Sequence, residues 1–183
     1  MRAERRMLSA HAVQSASTNI ADELCSIPAV RRATSIAIYF AAFGEVDCSL
    51  FADRMEDRGK TVYAPILRKK HMQFAPAGKY RRCVLNRYGI AEPIWKQHEL
   101  RAASQLDIII TPLVAFDTKL NRIGMGGGYY DRALQFKKHR LHWRRPLAIG
   151  VAYSFQRVDD IEARPWDIPL DAVITEKESY GSY

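Results

Sequence analysis

The sequence predicts a single α/β domain over residues 1–183, built on a mostly parallel sheet with helices on both faces. Short runs rich in β-branched and aromatic residues, which are typical of buried strands, alternate along the chain with segments of helical periodicity. This alternation favours parallel strands joined by helices. No internal repeat or low-complexity linker divides the chain, and its length suffices for one domain to bury a core.

Three helices are predicted from the spacing of apolar residues and from residues that favour helix ends. Ser9 can cap the first helix, which extends to about Ile27. Ser49 is the predicted N-cap of the second helix, and Gly59 ends it after residue 58. The third helix is predicted over residues 130–138, directly after a cluster of glycines.

The predicted strands are apolar runs too short for buried helices. They are residues 35–40, 61–66, 107–111, 147–152 and 172–175, with a shorter strand over 72–75. Ligands of parallel sheets bind beyond the carboxyl ends of the strands. We therefore expect three loops, residues 41–47, 113–130 and 153–167, to meet at one site.

The chain carries a net charge of +8, with 28 Lys and Arg against 20 Asp and Glu. Such a surplus indicates an anionic partner: nucleic acid, an acidic surface or a small polyanion such as ATP. Aromatic residues do not interleave a basic face, so no nucleic acid is expected as a partner. No apolar run approaches the roughly 18 residues of a membrane span, and no signal peptide is visible, so no membrane partner is expected.

The cysteines indicate a reducing compartment. Cys25, Cys48 and Cys83 are odd in number, widely spaced and free of any Cys-x-x-Cys pair, which argues against disulfides and zinc ligands. The predicted location is the cytoplasm, and the predicted state is a monomer. The densest basic stretch, residues 137–145, is interpreted first as a solvated helix end and loop.

Residues 121–132 read NRIGMGGGYYDR and carry the strongest functional signal in the chain. The glycines in this loop can adopt positive φ and bring backbone N–H groups close to an anion. A helix that begins after them adds its free N–H groups and its positive dipole end. The glycines are Gly124, Gly126, Gly127 and Gly128.

Charged residues flank the glycines. Arg122 and Arg132 bracket the loop with positive charge, and Asp131 offers a hard oxygen ligand suited to Mg²⁺. The segment lacks the Gly-Lys-Ser/Thr of a Walker A loop, and Tyr129 occupies the third glycine position of the dinucleotide fingerprint. We interpret the loop as a site for a metal-bound polyphosphate, with a tight turn of purely structural role as the alternative.

Two carboxylates follow the first strand. Asp47 lies near a helix start, where a capping role is at least as good an interpretation as a chemical one. Glu45 lies in the open loop and is free to meet a ligand. Of the adjacent Tyr129 and Tyr130, we expect one to stack on a planar ring and the other to pack in the core, since their side chains point in different directions.

The glycine segment and the preceding TPLVAFD at residues 111–117 closely resemble 5-formyltetrahydrofolate cyclo-ligases. Three further segments match in order: EVD at 45–47, YGIAEP at 88–93 and WDIPLD at 166–171. The resemblance spans nearly the whole chain. It implies ATP- and Mg²⁺-dependent conversion of 5-formyltetrahydrofolate to 5,10-methenyltetrahydrofolate, with release of ADP and phosphate.

The resemblance also implies residue roles. Asp131 and Asp167 match magnesium ligands, and Glu45 matches a folate-binding glutamate near the formyl group and N10. Phe40 and Tyr88 match pterin-pocket positions. The expected ATP-phosphate contacts are Arg122, Ile123, Gly124, Met125, Gly126, Gly127, Gly128, Tyr129 and Tyr130, and the expected catalytic residues are Glu45, Arg122 and Tyr130.

The chain departs from the family pattern in two places. Met125 and Gly127 stand where some relatives carry basic residues, so backbone groups and Mg²⁺ must contribute more to phosphate binding. The family usually carries a Lys and an Arg four apart at the start of its first helix, contacting ATP. Arg2 and Arg6 have this spacing in another register, so either they substitute or the pair lies upstream of Met1.

Two other functions remain open on the sequence. One is a relative that binds ATP and folate but turns over poorly, because N-terminal phosphate contacts are missing. The other is a non-catalytic module that binds nucleotides or nucleic acid. If the substrate carries a polyglutamate tail, residues 137–145 are expected to lie near it, and the preference for the tail should shrink as salt is added.

Overall fold

A computed structural model describes residues 1–68, 71–139 and 145–182. Its strands, in chain order, are β1 (Ser35–Ala37), β2 (Thr61–Arg68), β3 (His71–Pro76), β4 (Cys83–Leu85), β5 (Ala91–Pro93), β6 (Ile108–Pro112), β7 (Ala115–Phe116), β8 (Arg122–Ile123), β9 (Leu147–Val151), β10 (Ala172–Ile174) and β11 (Ser179–Gly181). Seven of them form one sheet in the order β11-β10-β9-β6-β1-β2-β3. The five central strands are parallel, and an antiparallel strand closes each edge.

The helices are α1 (Arg2–Met7), α2 (Ala10–Ser26), α3 (Pro28–Arg32), α4 (Ser49–Asp57) and α5 (Tyr129–Leu134). Short 3-10 turns cover Gln97–Glu99, Ala103–Gln105, Gln135–His139 and Ser154–Gln156. None of the helices in the described ranges is long and apolar enough to cross a membrane.

Both faces of the sheet are buried. Alternate residues of β6 serve the two faces, because successive side chains of a strand point in opposite directions. Ile108 and Ile110 pack among residues of α2, α3 and α4, whereas Ile109 packs with Leu134 of α5 on the other face. The continuous apolar run of β6 reflects this double burial. The predicted fold class, a mostly parallel α/β sheet with helices on both faces, is confirmed.

The helix starts confirm one predicted cap and correct another. Ser9 caps α2, since its Oγ accepts a hydrogen bond from the Ala12 N–H at 3.2 Å. Ser49 is not the N-cap of α4, because the cap is Cys48 and Ser49 is the first helical residue. The Asp47 carboxylate instead accepts from the Ser49 N–H at 2.9 Å and from its Oγ at 2.6 Å. Asp47 therefore takes the capping role that its position predicted.

Other predicted boundaries shift. The helix predicted over residues 130–138 begins at Tyr129, ends at Leu134 and continues as a 3-10 turn. In that turn the Lys137 Nζ donates to the Pro146 carbonyl at 2.8 Å, which ties the turn to the start of β9. The first strand ends at Ala37 instead of residue 40, because the chain then leaves the sheet. Periodicity missed α1, α3, β11 and the two small hairpins, all too short to show a pattern.

Candidate active site

The three loops expected to converge do meet at the carboxyl edge of the sheet. Gln156, in the loop after β9, is 1% exposed and donates through Nε2 to the Leu113 and Val114 carbonyls at 2.9 and 3.0 Å. These carbonyls belong to the loop after β6. The loop after β1 joins them through α1, because Gly44 lies against the backbone of Arg5 and the Arg5 Nη1 donates to the Leu113 carbonyl at 3.2 Å.

The glycine loop leads directly into α5. Gly126 and Gly128 have φ of +90° and +59°, in the region that favours glycine, and Gly128 is the residue before the first helical turn. The Arg132 Nη2 donates back to the Gly127 carbonyl at 2.8 Å. The same guanidinium lies 5.0 Å from the centre of the Tyr129 ring. Arg132 thus holds the loop from inside the helix, a role the sequence did not indicate.

Arg122 and Asp131 form an ion pair at the mouth of this loop. The Arg122 Nη2 lies 2.7 Å from the Asp131 Oδ1, and the two side chains are 5% and 25% exposed. Arg122 also donates through Nη1 to the Ile168 carbonyl. The Ile168 N–H in turn donates to the Asp131 Oδ1 at 3.3 Å. Hydrogen bonds among Arg122, Asp131 and Ile168 therefore join the glycine loop, α5 and the loop before β10.

The two expected magnesium ligands are linked through this network. Asp131 accepts from the peptide N–H directly after Asp167, whose own Oδ2 accepts from the Arg164 N–H at 2.8 Å. No group of three or more His, Cys, Asp or Glu side chains that could hold a metal occurs within the described ranges. Two carboxylates suffice for Mg²⁺ when substrate phosphates and water complete its octahedral shell. The donor set therefore fits a Mg²⁺ ion that arrives with a polyphosphate.

Glu45 lies in the loop after β1, where glycine allows a close approach to α1. Gly44 has a φ of +75°, and a Cβ there would lie 3.0 Å from the Arg5 carbonyl oxygen. The Glu45 Oε2 accepts from the Ala42 N–H at 3.1 Å. Burial raises the pKa of Glu45, and the charge of Arg5 opposes this rise. The net effect is a raised pKa, so Glu45 holds a proton more readily than a carboxyl group in water does.

Buried polar atoms without a partner occur at the same edge of the sheet as Glu45. In the described part of the chain these atoms are the Arg5 Nε and Nη2, the Tyr130 Oη and the Tyr153 Oη. Burial raises the pKa of Tyr130 and of Tyr153; the Glu45 carboxylate adds to the rise at Tyr130, and the charge of Arg5 opposes the rise at Tyr153. We call Arg5, Glu45, Tyr130 and Tyr153 the Glu45 cluster. Buried polar groups in native proteins are nearly always satisfied, so this concentration indicates a place where a ligand binds.

The two expected pterin-pocket residues lie on different elements. Phe40 is half-buried in the loop after β1, and Tyr88 is exposed in the turn between β4 and β5. Arg87, which the sequence did not single out, donates through Nη2 to the Tyr88 Oη at 2.8 Å and to the Tyr129 Oη at 3.0 Å. Hydrogen bonding to Tyr88, and then to Arg87, lowers the pKa of Tyr129.

The arginine that α1 buries is not one of the two that were expected to bind ATP. Arg2 and Arg6 are exposed, whereas Arg5 between them is 2% exposed. The Arg5 Nη1 donates to the Leu113 carbonyl at 3.2 Å. The roles of Arg2 and Arg6 stay predictions. Nothing in the sequence separates Arg5 from its neighbours, because a helix of six residues shows no reliable apolar face.

The basic stretch at residues 137–145 lies only partly within the described residues, since residues 140–144 fall outside them. Its two ends pair with carboxylates at the amino edge of the sheet. The Lys137 Nζ lies 2.5 Å from the Asp171 Oδ2, and the Arg145 Nη1 lies 2.9 Å from the Asp107 Oδ1. These two cations are therefore engaged away from the Glu45 cluster.

The family model described as "5-formyltetrahydrofolate cyclo-ligase family" matches residues 1–176 of this chain. The chain belongs to this family. It is 34% identical over 178 residues to the 5-formyltetrahydrofolate cyclo-ligase of Escherichia coli K12, covering 96% of each chain. It is 36% identical over 148 residues to the cyclo-ligase of Haemophilus influenzae, covering 76% of this chain and 74% of the relative.

Solved structures support the same family. The 5,10-methenyltetrahydrofolate synthetase of Aquifex aeolicus is 29% identical, with a TM-score of 0.82 over 98% of this chain and 88% of that one. A synthetase from Mycoplasma pneumoniae, 24% identical, shares the fold with a TM-score of 0.73 over 96% of this chain and 94% of that one. The resemblance to the cyclo-ligases and the assignment to the ligases are therefore confirmed, whereas the roles of individual residues stay predictions.

Proposed function

We propose that this protein converts 5-formyltetrahydrofolate to 5,10-methenyltetrahydrofolate with ATP and Mg²⁺, releasing ADP and phosphate. The observation that carries the proposal is the position of two consecutive residues of α5. The Oη of Tyr130 is buried in the Glu45 cluster, and Asp131 pairs with Arg122 at the glycine loop. A folate subsite and a phosphate subsite would then share one helical turn, which suits a reaction that must align two substrates.

The reaction needs ATP because a formamide carbon is a poor electrophile and its oxygen a poor leaving group. In the proposed sequence the formyl oxygen attacks the γ-phosphorus, and the bond from that phosphorus to ADP breaks. N10 then attacks the formyl carbon and forms the new C–N bond. The C–O bond breaks as phosphate leaves, and the N10 proton is lost. The protein must align the reactants and stabilise the transferring charge.

Glu45 has properties that suit the second half of this reaction. Burial raises its pKa, and a carboxylate with a raised pKa is a stronger base for a proton such as that of N10. Its negative charge would also stabilise the cationic carbon that forms between N5 and N10. Tyr130 Oη, buried and without a partner in the described residues, is available to a polar group of the same substrate.

The phosphate side would rely on backbone and fixed charge. The N–H groups of the glycine loop and Arg122 would bind the phosphates, with Tyr129 and Met125 at the loop surface. Asp131 and Asp167 would hold Mg²⁺, which neutralises phosphate charge when bound. Because Asp131 already pairs with Arg122 at 2.7 Å, both groups are oriented before any substrate arrives.

The proposal also includes a monomeric protein in the cytoplasm that acts on a free folate, with or without a polyglutamate tail. It includes no nucleic acid and no membrane as partners. The +8 charge supports an anionic partner, and the glycine loop with its flanking arginines favours a small anion over a nucleic acid.

The decisive experiment is a turnover assay with purified protein, 5-formyltetrahydrofolate, ATP and Mg²⁺, followed by the absorbance of the methenyl product. Product formation should require ATP, yield one ADP for each product molecule and stop when EDTA removes the metal. Folded protein that binds both substrates without forming product would contradict the proposal and favour the poorly active relative. Binding of nucleotide with no binding of folate would favour the non-catalytic module.

A further inference from the structure

Arg5 is a buried arginine that uses only part of its hydrogen-bonding capacity. It is 2% exposed, and its Nη1 donates to the Leu113 carbonyl at 3.2 Å. That carbonyl also accepts from the Gln156 Nε2 at 2.9 Å, so both of its lone pairs are engaged. The Arg5 Nε and Nη2 have no hydrogen-bond partner among the described residues. An unsatisfied buried donor of a charged group is costly.

The two unused nitrogens lie on one edge of the guanidinium. The N–H groups of Nε and Nη2 are parallel and form the fork with which arginine binds planar oxygen acceptors. The Leu113 carbonyl holds the opposite side of the group, and the backbone of Arg5 lies against Gly44, the residue before Glu45. The free edge is therefore held near the Glu45 loop, where it is shielded from solvent.

The charges in the Glu45 cluster select the kind of acceptor. Glu45 is the carboxylate whose pKa the charge of Arg5 lowers, so the two opposite charges offset each other. A second anion at the Arg5 edge would meet the negative charge of Glu45. A neutral carbonyl accepts two hydrogen bonds without adding charge. The groups that interact electrostatically with Glu45 are Arg5 from α1, Tyr39 and Cys48 from its own loop, and Tyr130 from α5.

We propose that Arg5 is a substrate-binding residue whose Nε and Nη2 donate to a neutral carbonyl oxygen of the folate, either on the ring or on the formyl group, beside Glu45. This inference rests on the proposed function, because it takes the folate to be what fills the Glu45 cluster. It gives α1 a role in folate binding, in addition to any contact that Arg2 or Arg6 makes with ATP.

The test measures binding of 5-formyltetrahydrofolate by calorimetry without ATP, and binding of an ATP analogue separately. Arg5→Met keeps the length of the side chain and removes the donors. It should weaken folate binding about 10- to 100-fold, as expected for lost hydrogen bonds to a charged group, and leave the ATP analogue within about twofold. Arg5→Lys keeps the charge without the fork, so its affinity for folate should lie between those of wild type and Arg5→Met. Arg31→Gln, an exposed arginine on α3, is the matched control and should change neither.

A second measurement does not depend on the variants binding well. In the wild-type protein the ¹⁵N–¹H resonance of the Arg5 Nε, identified by its loss in Arg5→Met, should shift and exchange more slowly with water when folate is added. Normal folate binding by folded Arg5→Met, or an unmoved Nε resonance in folate-bound wild type, would overturn the inference while leaving the proposed function intact. Failure of wild type to bind folate at all would overturn both.

Discussion

The two edges of the parallel sheet handle buried charge in opposite ways. At the amino edge, the Asp107 Oδ2 accepts from the N–H and hydroxyl groups of both Thr34 and Ser35, at 2.9 to 3.1 Å, and its Oδ1 pairs with Arg145. At the carboxyl edge, Glu45 accepts from one backbone N–H, and four buried polar atoms of Arg5, Tyr130 and Tyr153 have no partner in the described residues.

The pKa values follow the same division. Although partial burial of Asp107 raises its pKa, hydrogen bonds from Thr34 and Ser35 outweigh burial and leave the pKa lowered. At Glu45 no such set of hydrogen bonds outweighs the effect of burial, so the pKa of Glu45 is raised. A lowered carboxyl pKa adds to the stability of the fold near neutral pH, and a raised one subtracts from it. The amino edge is thus arranged for stability, and the carboxyl edge gives up stability for groups that can meet a ligand.

The largest expected effect is at Asp131, which belongs to the carboxyl edge and yet forms an ion pair with Arg122. Asp131→Asn should lower turnover at least about 100-fold, because a neutral amide is a weak Mg²⁺ ligand and no longer orients Arg122. It should also cost about 1–3 kcal/mol of stability, since Arg122 is 5% exposed and loses its ion pair. Turnover and thermal unfolding, compared with the exposed control Asp22→Asn, measure both.

A magnesium titration separates the two roles of Asp131. If the metal is bound there, excess Mg²⁺ should restore part of the lost rate without restoring the stability. A rate that stays low at every Mg²⁺ concentration would assign Asp131 to positioning Arg122 alone. Full activity with lowered stability would show that Asp131 contributes to the fold and not to the reaction.

Glu45→Gln tests whether the carboxyl edge exchanges stability for function. Turnover with folate should fall about 10- to 100-fold, while the affinity for an ATP analogue stays nearly unchanged, because Glu45 is proposed to contact the folate and not the phosphates. The folded pKa of Glu45 is raised, so its ionised form opposes folding above the ordinary carboxyl pKa. The variant should therefore be more stable than wild type at pH 7, and the difference should vanish as the pH falls below the ordinary carboxyl pKa.

Calorimetric unfolding at several pH values measures this difference, and steady-state kinetics with each substrate varied measures the rest. Equal weakening of folate and ATP binding would show that Glu45 only supports its loop. A destabilised Glu45→Gln at pH 7 would contradict the division between the two edges.

Asp107→Asn should have the reverse profile. Removing the charge that accepts from Thr34, Ser35 and Arg145 should cost about 2–3 kcal/mol of stability and leave kcat and both KM values unchanged below the unfolding temperature. Because the folded pKa of Asp107 is lowered, its contribution is present above the ordinary carboxyl pKa and is lost as the pH falls through the folded value. A loss of activity at full stability would break the comparison.

The sheet was predictable from the sequence because strands buried on both faces read as continuous apolar runs, as in β6. The convergence of the loops followed from parallel strand order, and the glycine loop from its unusual local composition. Helix ends were less predictable. Asp47 reaches the free N–H of Ser49, which made the Ser49 hydroxyl a donor instead of a cap.

The groups that the sequence missed act over long sequence distances. Arg5 meets a carbonyl 108 residues away, and Arg87 meets a hydroxyl 42 residues away. Both are arginines among other arginines, so neither composition nor spacing marks them. The burial of Arg5 and the contacts of both arginines arise only when α1 and the β4–β5 turn pack beside the carboxyl edge, and local pattern contains no information about that packing.

The smallest expected effect is at Arg87, which bridges the hydroxyls of Tyr88 and Tyr129 across the two expected subsites. Arg87 is exposed, so water can replace its bonds, and Arg87→Gln should change either KM by less than about fivefold. The expected change is weaker coupling between the two substrates. Saturation with ATP should lower the folate KM by a smaller factor in Arg87→Gln than in wild type, whereas Arg82→Gln, an exposed neighbour, should behave like wild type. Tyr129→Phe, which removes one of the bridged hydroxyls, should reproduce the effect. An unaltered coupling in both variants would leave Arg87 with no part in joining the subsites, and the functional part of the carboxyl edge would then be limited to Glu45 and the glycine loop.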